Sequence, residues 1–247
     1  MTLLKYYIIA LLCITPLTAN AQNVIVGLEP FPPFINEDGS GFAIEMFNAL
    51  TQQSDLNFEF NLMTWGRAKR ELKSHHVDLI GISPKNNETA DYYQYAKELD
   101  WSFIATVDLF SKEKSNLILE NLPNKSIGTL IGNADFFAEL SNIPRNKFVE
   151  ISNLKQLVKM MDKGRIKTVI FDRISMMSTI KKLKLANIHY RELMKIPATF
   201  AVKNTPDGLQ LQKKLDNLMS TKNIEKYQEK LSLYNKLPPT GIVNILD

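Results

Sequence analysis

The sequence predicts an α/β protein of two lobes, each a mostly parallel sheet flanked by helices. Short apolar runs alternate with segments that have the period of an amphipathic helix, which is typical of strand–helix units with a parallel sheet. The alternation occurs in two separate series along the 247 residues. Two extended segments without a helical period, 104–110 and 196–202, lie at the ends of the second series and are expected to be crossover hinge strands.

The first series predicts strands at 24–28, 58–62 and 77–82. A helix is expected over 42–53, where apolar residues recur on one helical face. A shorter helix follows the second strand, with Ala68 and Leu72 on one side. The third strand is apolar almost throughout, which is typical of a strand buried on both faces of a sheet.

The second series predicts strands at 126–130, 147–151 and 168–171. A helix is expected over 134–140, and a second helix is expected between Ser152, as its N-cap, and Gly164. After the second crossover strand, leucines over 211–218 and apolar residues over 224–234 predict two further helices. A Pro-Pro-Thr-Gly tail follows them.

Domain boundaries follow from these series. Residues 22–107 and 200–247 are expected to form a discontinuous lobe 1, and residues 108–199 are expected to form lobe 2. The polypeptide would then cross between the lobes along the two hinge strands.

Residues 1–21 are predicted to be a cleaved signal peptide, with a basic residue, a short apolar run and a small-x-small cleavage site. A buried N-terminal helix or a retained anchor is the alternative. Cys13 is the only cysteine, and the bulky Leu12 before it is unlike a lipoprotein cleavage site. We therefore expect a periplasmic protein without thiol chemistry and without a lipid anchor.

Composition and motifs argue against several classes of protein. The net charge of +4 is spread along the chain, which does not favour nucleic-acid binding. No later apolar run approaches the roughly 20 residues of a membrane span, so stable membrane insertion is not expected. The usual hydrolase, nucleotide-binding and zinc motifs are absent, and the adjacent His75 and His76 cannot face one metal ion together. We therefore predict no enzyme, no cofactor and no metal.

The first candidate site residues lie in a proline-rich loop after the first strand. Ligands of open α/β sheets bind beyond the carboxyl ends of the strands. Prolines restrict this loop, so that Glu29, Phe31 and Phe34 would be held at the rim of a cleft. The alternative is that the two phenylalanines cover the core.

Two further candidate groups follow the second and third strands. Trp65 and Arg67 stand at the start of the next helix, where free N–H groups and a guanidinium favour an anion. Their alternative is ordinary packing at a helix start and a solvated arginine. Ser83 follows the third strand and is a further cleft position.

The second lobe supplies the remaining candidates. Gly132 and Asn133 connect a strand to a helix, so backbone N–H groups there could approach an anion. Asp172 ends a buried strand, where it could accept a hydrogen bond from a ligand amine or hydroxyl. The N-cap of the following helix is an equally good role for Asp172, and both interpretations stay open.

These segments resemble the family 3 periplasmic solute-binding proteins, type II binding proteins that serve mostly amino acid ABC transporters. The resemblance covers nearly all of the predicted mature chain. It is carried by VGLEPFPPF, TWGRA, VDLIGISP, LPNKSIGTLIGNADFF, DKGRIKTVIFDR and ATFAVKNTPDGLQLQKKLDNLM. The resemblance implies two lobes that close on a small solute.

Roles for individual residues also follow from the resemblance. Phe34 would be a rim aromatic, and Ser83 a polar contact in lobe 1. Gly132 and Asn133 would contact the solute at a helix terminus, and Asp172 would accept from its amino group.

The sequence departs from the family pattern after Ser83. Amino acid binders of this family carry an arginine there that holds the α-carboxylate, whereas this chain has none before Ala90. Three interpretations are open: Arg67 replaces that charge, Lys85 replaces it, or the ligand carries no carboxylate.

The leading functional hypothesis is therefore a monomeric periplasmic protein that captures a small polar, amino acid-like solute for an ABC transporter permease. A periplasmic enzyme on the same scaffold, such as a dehydratase that uses Glu29 or Asp172, is one alternative. A ligand-sensing partner of a receptor kinase is another.

Overall fold

The computed structural model describes residues 21–221, Ile224, Tyr227 and residues 236–244. The predicted signal peptide lies outside the described residues except for Ala21, as does most of the predicted helix over 224–234. None of the helices in the described part of the chain is long and apolar enough to cross a membrane.

Lobe 1 is built on three parallel strands with helices in their connections. The elements are β1 (Gln22–Leu28), α1 (Phe42–Thr51), β2 (Leu56–Leu62), α2 (Trp65–Lys73) and β3 (Leu79–Pro84). β1 lies in the middle, with Val24 opposite Phe58 of β2 and Val26 opposite Leu79 of β3. The three predicted strands are confirmed, with bounds that differ from the predicted ones by two residues at most.

Smaller elements complete lobe 1. A helical turn α3 (Tyr92–Tyr95) leads into β4 (Ala96–Glu98), and α7 (Pro206–Met219) lies near the end of the chain. Thr205 is the N-cap of α7, and its hydroxyl accepts from the N–H of Gly208. Pro206 occupies the first turn, where its missing N–H costs nothing.

Lobe 2 repeats the same scheme. Its elements are β6 (Ile127–Leu130), α4 (Ala134–Ser141), β7 (Phe148–Ile151), α5 (Leu154–Asp162), β8 (Thr168–Asp172) and α6 (Arg173–Lys182). All three strands are parallel. The N-cap prediction for α5 was wrong by one residue: Asn153, not Ser152, accepts from the N–H of Gln156 through its side chain.

Two long strands join the lobes. They are β5 (Phe103–Ser111) and β9 (His189–Lys203), which pair antiparallel from Phe103 opposite Ala198 to Ser111 opposite His189. β9 also pairs with β3 of lobe 1, and β5 also pairs with β8 of lobe 2. The sheet therefore runs without interruption in the order β2-β1-β3-β9-β5-β8-β6-β7.

Each lobe has its own apolar core. One core contains Val26, Phe47 and Phe200, and the other contains Leu109 and Ile170, with many neighbours each. Strand β9 supplies Phe200 to the first core and strand β5 supplies Leu109 to the second, so the hinge strands are anchored in both lobes.

The described end of the chain belongs with lobe 2, whereas the sequence prediction had placed 200–247 in lobe 1. Strand β10 (Thr240–Ile242) pairs antiparallel with the start of β9, and Thr240 lies opposite Arg191. Val243 is buried in the lobe 2 core. The Pro-Pro-Thr-Gly segment is thus partly a strand rather than only a tail.

A buried ion pair anchors the start of α6 to both hinge strands. The side chain of Arg173 is fully buried and donates from Nε and Nη2 to the two carboxylate oxygens of Asp108 on β5, at 2.7 and 2.9 Å. Its Nη2 also donates to Glu192 of β9 at 3.1 Å. Removing one partner of such a pair leaves an uncompensated buried charge.

We expect Arg173→Met to lower the free energy of unfolding by about 3–5 kcal/mol. Arg145→Met is the matched control, because Arg145 also contacts two carboxylates through Nε and Nη2, those of Asp135 and Glu150, but is 45% exposed. An exposed pair contributes about 0–1 kcal/mol. Urea denaturation of both variants measures the difference, and equal losses would contradict the anchoring role of Arg173.

Candidate functional site

The lobes touch where α2 begins and where β6 leads into α4. The N–H of Gly66 in lobe 1 donates to the carbonyl oxygen of Ile131 in lobe 2 at 3.4 Å. A Cβ atom added to Gly132 would lie 2.6 Å from the Gly66 nitrogen, so the two backbones are in contact. Lys69 of α2 donates from Nζ to the carbonyl oxygen of Gly132 at 3.3 Å. The lobes are therefore closed at this end of the interface.

A second contact lies on the other side of the interface. Asn153, the N-cap of α5, donates from Nδ2 to Oε1 of Glu37 in lobe 1 at 2.7 Å. Phe31 of the proline-rich loop packs on Phe171 of β8, with ring centroids 5.6 Å apart. The lobes are thus held together by contacts on both sides of the space between them.

A cavity of about 50 Å³ lies between the lobes and the hinge strands. Its lining residues are Phe31, Ile82, Pro84, Ala105, Val107, Asn133, Phe136, Phe137, Phe171, Asp172, Ile196 and Ala198. They include the ends of β3 and β8 and the start of α4. This is the position at which open α/β sheets bind ligands, so we take this cavity as the candidate site.

Asp172 fulfils both roles that the sequence left open. It lines the cavity, and its Oδ1 accepts from the N–H of Ser175 at 2.8 Å as the N-cap of α6. Burial raises the pKa of Asp172 from 3.8 to about 7, against the opposing effect of the Ser175 N–H. The Asp172 carboxyl group therefore changes its protonation state near neutral pH.

Glu29 lies at the lobe contact rather than in the cavity lining. Its Oε1 accepts from the N–H of Trp65, the first residue of α2, at 3.1 Å. The Asn133 side chain of lobe 2 acts to lower the pKa of Glu29. Burial raises the pKa of Glu29 from 4.5 to about 7, while the hydrogen bonds and Lys69 act in the opposite direction. Glu29 thus lies where the two lobes meet.

The predicted anion site at the start of α4 is filled by the protein itself. The N–H groups of Gly132 and Ala134 both donate to Oε1 of Glu150, at 2.7 and 3.2 Å. Glu150 was not among the site residues predicted from the sequence. Its place on the strand beside β6, opposite Thr129, was the signal that could have found it, because neighbouring parallel strands end at one edge of the sheet.

Phe34 and Trp65 face the interior of lobe 1. Phe34 is buried in the core, with its ring 5.3 Å from that of Phe103. Trp65 is also buried, and its Nε1 donates to Oε1 of Glu88 at 2.9 Å. The core-covering alternative therefore holds for Phe34, whereas Phe31 from the same loop lines the cavity.

Arg67 lies on the surface of α2, outside the cavity. Its side chain is 62% exposed and pairs with Glu71 one turn later, at 3.2 Å. The solvated alternative describes Arg67 better than a ligand anchor does.

Ser83 points to the opposite face of β3 from its neighbours Ile82 and Pro84, which line the cavity. Its Oγ donates to Glu98 at 2.8 Å and accepts from the hydroxyl of Tyr92 at 3.2 Å. Residues along a strand alternate between faces, so the position after a strand does not by itself place a side chain in the cleft.

The structure therefore brings Gly132, Asn133, Glu29 and Asp172 together at the lobe interface, and does not bring Phe34, Trp65, Arg67 or Ser83 into the cavity. The apolar lining was largely missed. Phe136 and Phe137 lie in the first turn of α4, shortly after the carboxyl end of β6. That position in the sequence could have indicated that they line the site. No group of three or more potential metal ligands occurs among the described residues.

Two α/β lobes, two antiparallel hinge strands and a cavity at the strand ends define the type II periplasmic binding protein fold. The chain belongs to the bacterial extracellular solute-binding proteins, family 3, whose family model matches residues 24–232. No curated protein matches the chain in sequence.

Solved structures share this fold at low sequence identity. An ancestral arginine-binding protein bound to glutamine is 21% identical, covers 84% of this chain and 96% of that chain, and superposes with a TM-score of 0.70. A substrate-binding protein of an ABC uptake transporter from Streptococcus pneumoniae with bound histidine is 19% identical, with coverages of 85% and 90% and a TM-score of 0.66. A histidine kinase sensor domain with similarity to periplasmic binding proteins is 15% identical, with coverages of 88% and 97% and a TM-score of 0.69.

Gly132→Ala tests the lobe contact. The added Cβ would meet the backbone of Gly66, which cannot move away without separating the lobes. Since overpacking costs about 1–3 kcal/mol, we expect ligand affinity to fall by about tenfold or more. Small-angle X-ray scattering should show a more expanded molecule in the presence of ligand.

Gly164→Ala is the control for backbone strain. Gly164 also has a positive φ, +69° against +94° at Gly132, but a Cβ there meets nothing within 4 Å. Both variants should lose about 1–2 kcal/mol of unfolding free energy from the left-handed backbone. Only Gly132→Ala should lose affinity, and a similar loss in both variants would show that the Gly132–Gly66 contact does not support closure.

Asp172→Asn should change the pH dependence of stability. Because the pKa of Asp172 is raised on folding, its stabilising contribution is complete below the unfolded pKa of 3.8 and is lost as the pH rises through about 7. Asparagine caps a helix as well as aspartate does, but it does not titrate. We expect the variant to gain about 1–3 kcal/mol relative to wild type between about pH 4 and about pH 8, measured by urea denaturation.

Asp135→Asn controls for the loss of one exposed negative charge in the same lobe, since the Asp135 side chain is 79% exposed. A stability difference between wild type and Asp172→Asn that stays constant with pH would show that Asp172 does not change its proton affinity on folding.

Proposed function

We propose that this protein captures a small solute in the cavity between its lobes and delivers it, in the periplasm, to a membrane transporter. The main support for this proposal is that the interface between the lobes is closed around a cavity. The backbones touch at Gly132 on one side, Asn153 donates to Glu37 on the other, and the cavity lies between them at the strand ends. A solute that contacts both lobes would favour this closed state over an open one.

The comparisons support the transport part of this proposal. The family comprises extracellular solute-binding proteins, and the streptococcal protein of the same fold belongs to an ABC uptake transporter. A predicted signal peptide agrees with a periplasmic location. A monomer is sufficient, because both halves of the site come from one chain.

The enzymatic alternative has less support in the geometry. A dehydratase needs an acid and a base within reach of the same substrate. Asp172 is the only titratable residue among those lining the cavity, and Glu29 is hydrogen-bonded at the lobe contact outside that lining.

A ligand panel tests capture. The protein is denatured and refolded to remove bound solute and is then screened by thermal unfolding against amino acids, amines, small peptides and sugars. A solute at 100 times its Kd stabilises the folded state by about 2.7 kcal/mol, which corresponds to a shift of about 5–10 °C at ~2–4 °C per kcal/mol. A panel in which no compound shifts the transition would contradict the proposal.

Delivery to a transporter is tested by isolating the membrane partner of the ligand-loaded protein. Recovery of a permease would support transport, whereas recovery of a receptor kinase would replace transport with signalling and leave solute capture intact.

A further inference from the structure

The charge of the cavity restricts the solute that it can hold. Asp172 is the only charged residue of the lining, Asn133 is the only other polar one, and the remaining ten are apolar. No cationic side chain is therefore present in the described lining to pair with a solute carboxylate. An unpaired carboxylate in such surroundings loses its hydration without compensation.

The cations that could have served as anchors are engaged elsewhere. Arg67 pairs with Glu71 on the surface of α2. Lys85 donates from Nζ to the carbonyl oxygen of Asp100 at 2.5 Å. Neither side chain lines the cavity. Of the three interpretations left by the sequence, a ligand without a carboxylate is the one that these contacts favour.

Arg173 and Lys69 are also occupied. Arg173 is buried behind the cavity against Asp108 and Glu192. Lys69 contacts Glu88 at 3.3 Å and the carbonyl oxygen of Gly132 at 3.3 Å.

Helix N-termini, the other common anion sites, are filled as well. Four helices begin at the lobe interface, and each donates N–H groups to an internal side chain: that of α5 donates to the amide oxygen of its N-cap Asn153, and those of the other three donate to carboxylates. Glu29 accepts from the first N–H of α2, Glu150 from the N–H groups at the start of α4, and Asp172 from the start of α6. A solute anion would have to displace one of these internal carboxylates.

The same cavity lining favours a positively charged group of the solute. The Asp172 carboxylate would accept from an ammonium group and balance its charge. Four phenylalanines line the cavity, namely Phe31, Phe136, Phe137 and Phe171. The faces of aromatic rings attract cations. The phenylalanine rings and the aliphatic residues of the lining would also pack against an apolar group of the solute.

We infer that the solute is a small organic ammonium ion with N–H donors, a short apolar body and no carboxylate. This inference rests on the proposed capture between the lobes. The cavity of about 50 Å³ favours a small solute.

Matched series of compounds test the class of solute. The amines are n-propylamine, isobutylamine and isoamylamine, and each is compared with the α-amino acid that loses carbon dioxide to give it: 2-aminobutyrate, valine and leucine. Isobutanol and isovalerate test the need for the amino group. We expect the amines to raise the melting temperature of the solute-free protein, and the amino acids, the alcohol and the acid to leave it unchanged.

Asp172→Asn identifies the anchor. The N-cap is retained, but a charged partner is lost, so we expect the affinity for the best amine in titration calorimetry to fall about 10- to 100-fold. Asp135→Asn removes an exposed carboxylate of the same lobe and should bind the amine as wild type does. Wild-type affinity in Asp172→Asn would overturn the assignment of Asp172.

The outcomes separate this inference from the proposed function. The ammonium assignment would be overturned if amino acids or isovalerate shifted the melting temperature, or if isobutanol shifted it as much as isobutylamine does. It would also be overturned if only sugars or peptides produced a shift. Each of these results would leave solute capture in place. If no compound of these series or of the broad panel produces a shift, both are overturned.

Discussion

The contact between the lobes is built on helix N-termini that are satisfied from within the protein. Each helix start leaves backbone N–H groups without intrahelical partners, and these groups attract negative charge. At α2, α4 and α6 the partners are Glu29, Glu150 and Asp172. Because these carboxylates are supplied by the chain, the interface closes without needing an anion from solution.

Lys69 makes this arrangement a link between lobes as well as a set of caps. Glu29 receives a hydrogen bond from Trp65 at the start of α2, and Lys69 of the same helix donates across the interface to the carbonyl oxygen of Gly132. The glycines at 66 and 132 allow the backbones to approach closely enough for this link, since a side chain at Gly132 would occupy the place of the Gly66 backbone. The hydrogen bonds between the lobes therefore require the close approach of the Gly66 and Gly132 backbones.

Much of the fold could be predicted from the sequence, because it depends on periodicity. The alternation of apolar runs and amphipathic segments indicated the parallel strands of both lobes, and the two segments without a helical period became β5 and β9. The candidate site was predicted less well, because it depends on the direction of individual side chains. Ser83 faces away from the cavity because residues along a strand alternate between faces and its neighbours Ile82 and Pro84 line the cavity. The sheet register also shifts at this point, between Gly81 and Ser83, which spacing alone does not reveal.

Two further differences have the same origin. Arg67 and Glu71 are one helical turn apart, and this spacing favours a pair on the helix surface over an interlobe anchor. Glu150 was missed because its partners, Gly132 and Ala134, belong to the neighbouring strand and helix rather than to its own segment. Local patterns predict elements well, but contacts between distant segments of the chain require the register of the sheet.

The pairing of β10 with β9 has a consequence for how the molecule can move. Helix α7 packs in lobe 1, whereas the strand that follows it along the chain lies in lobe 2. Because β10 is paired with the lobe 2 end of β9, that end of the strand is braced. Separation of the halves is therefore expected to bend β9 between this pairing and its pairing with β3.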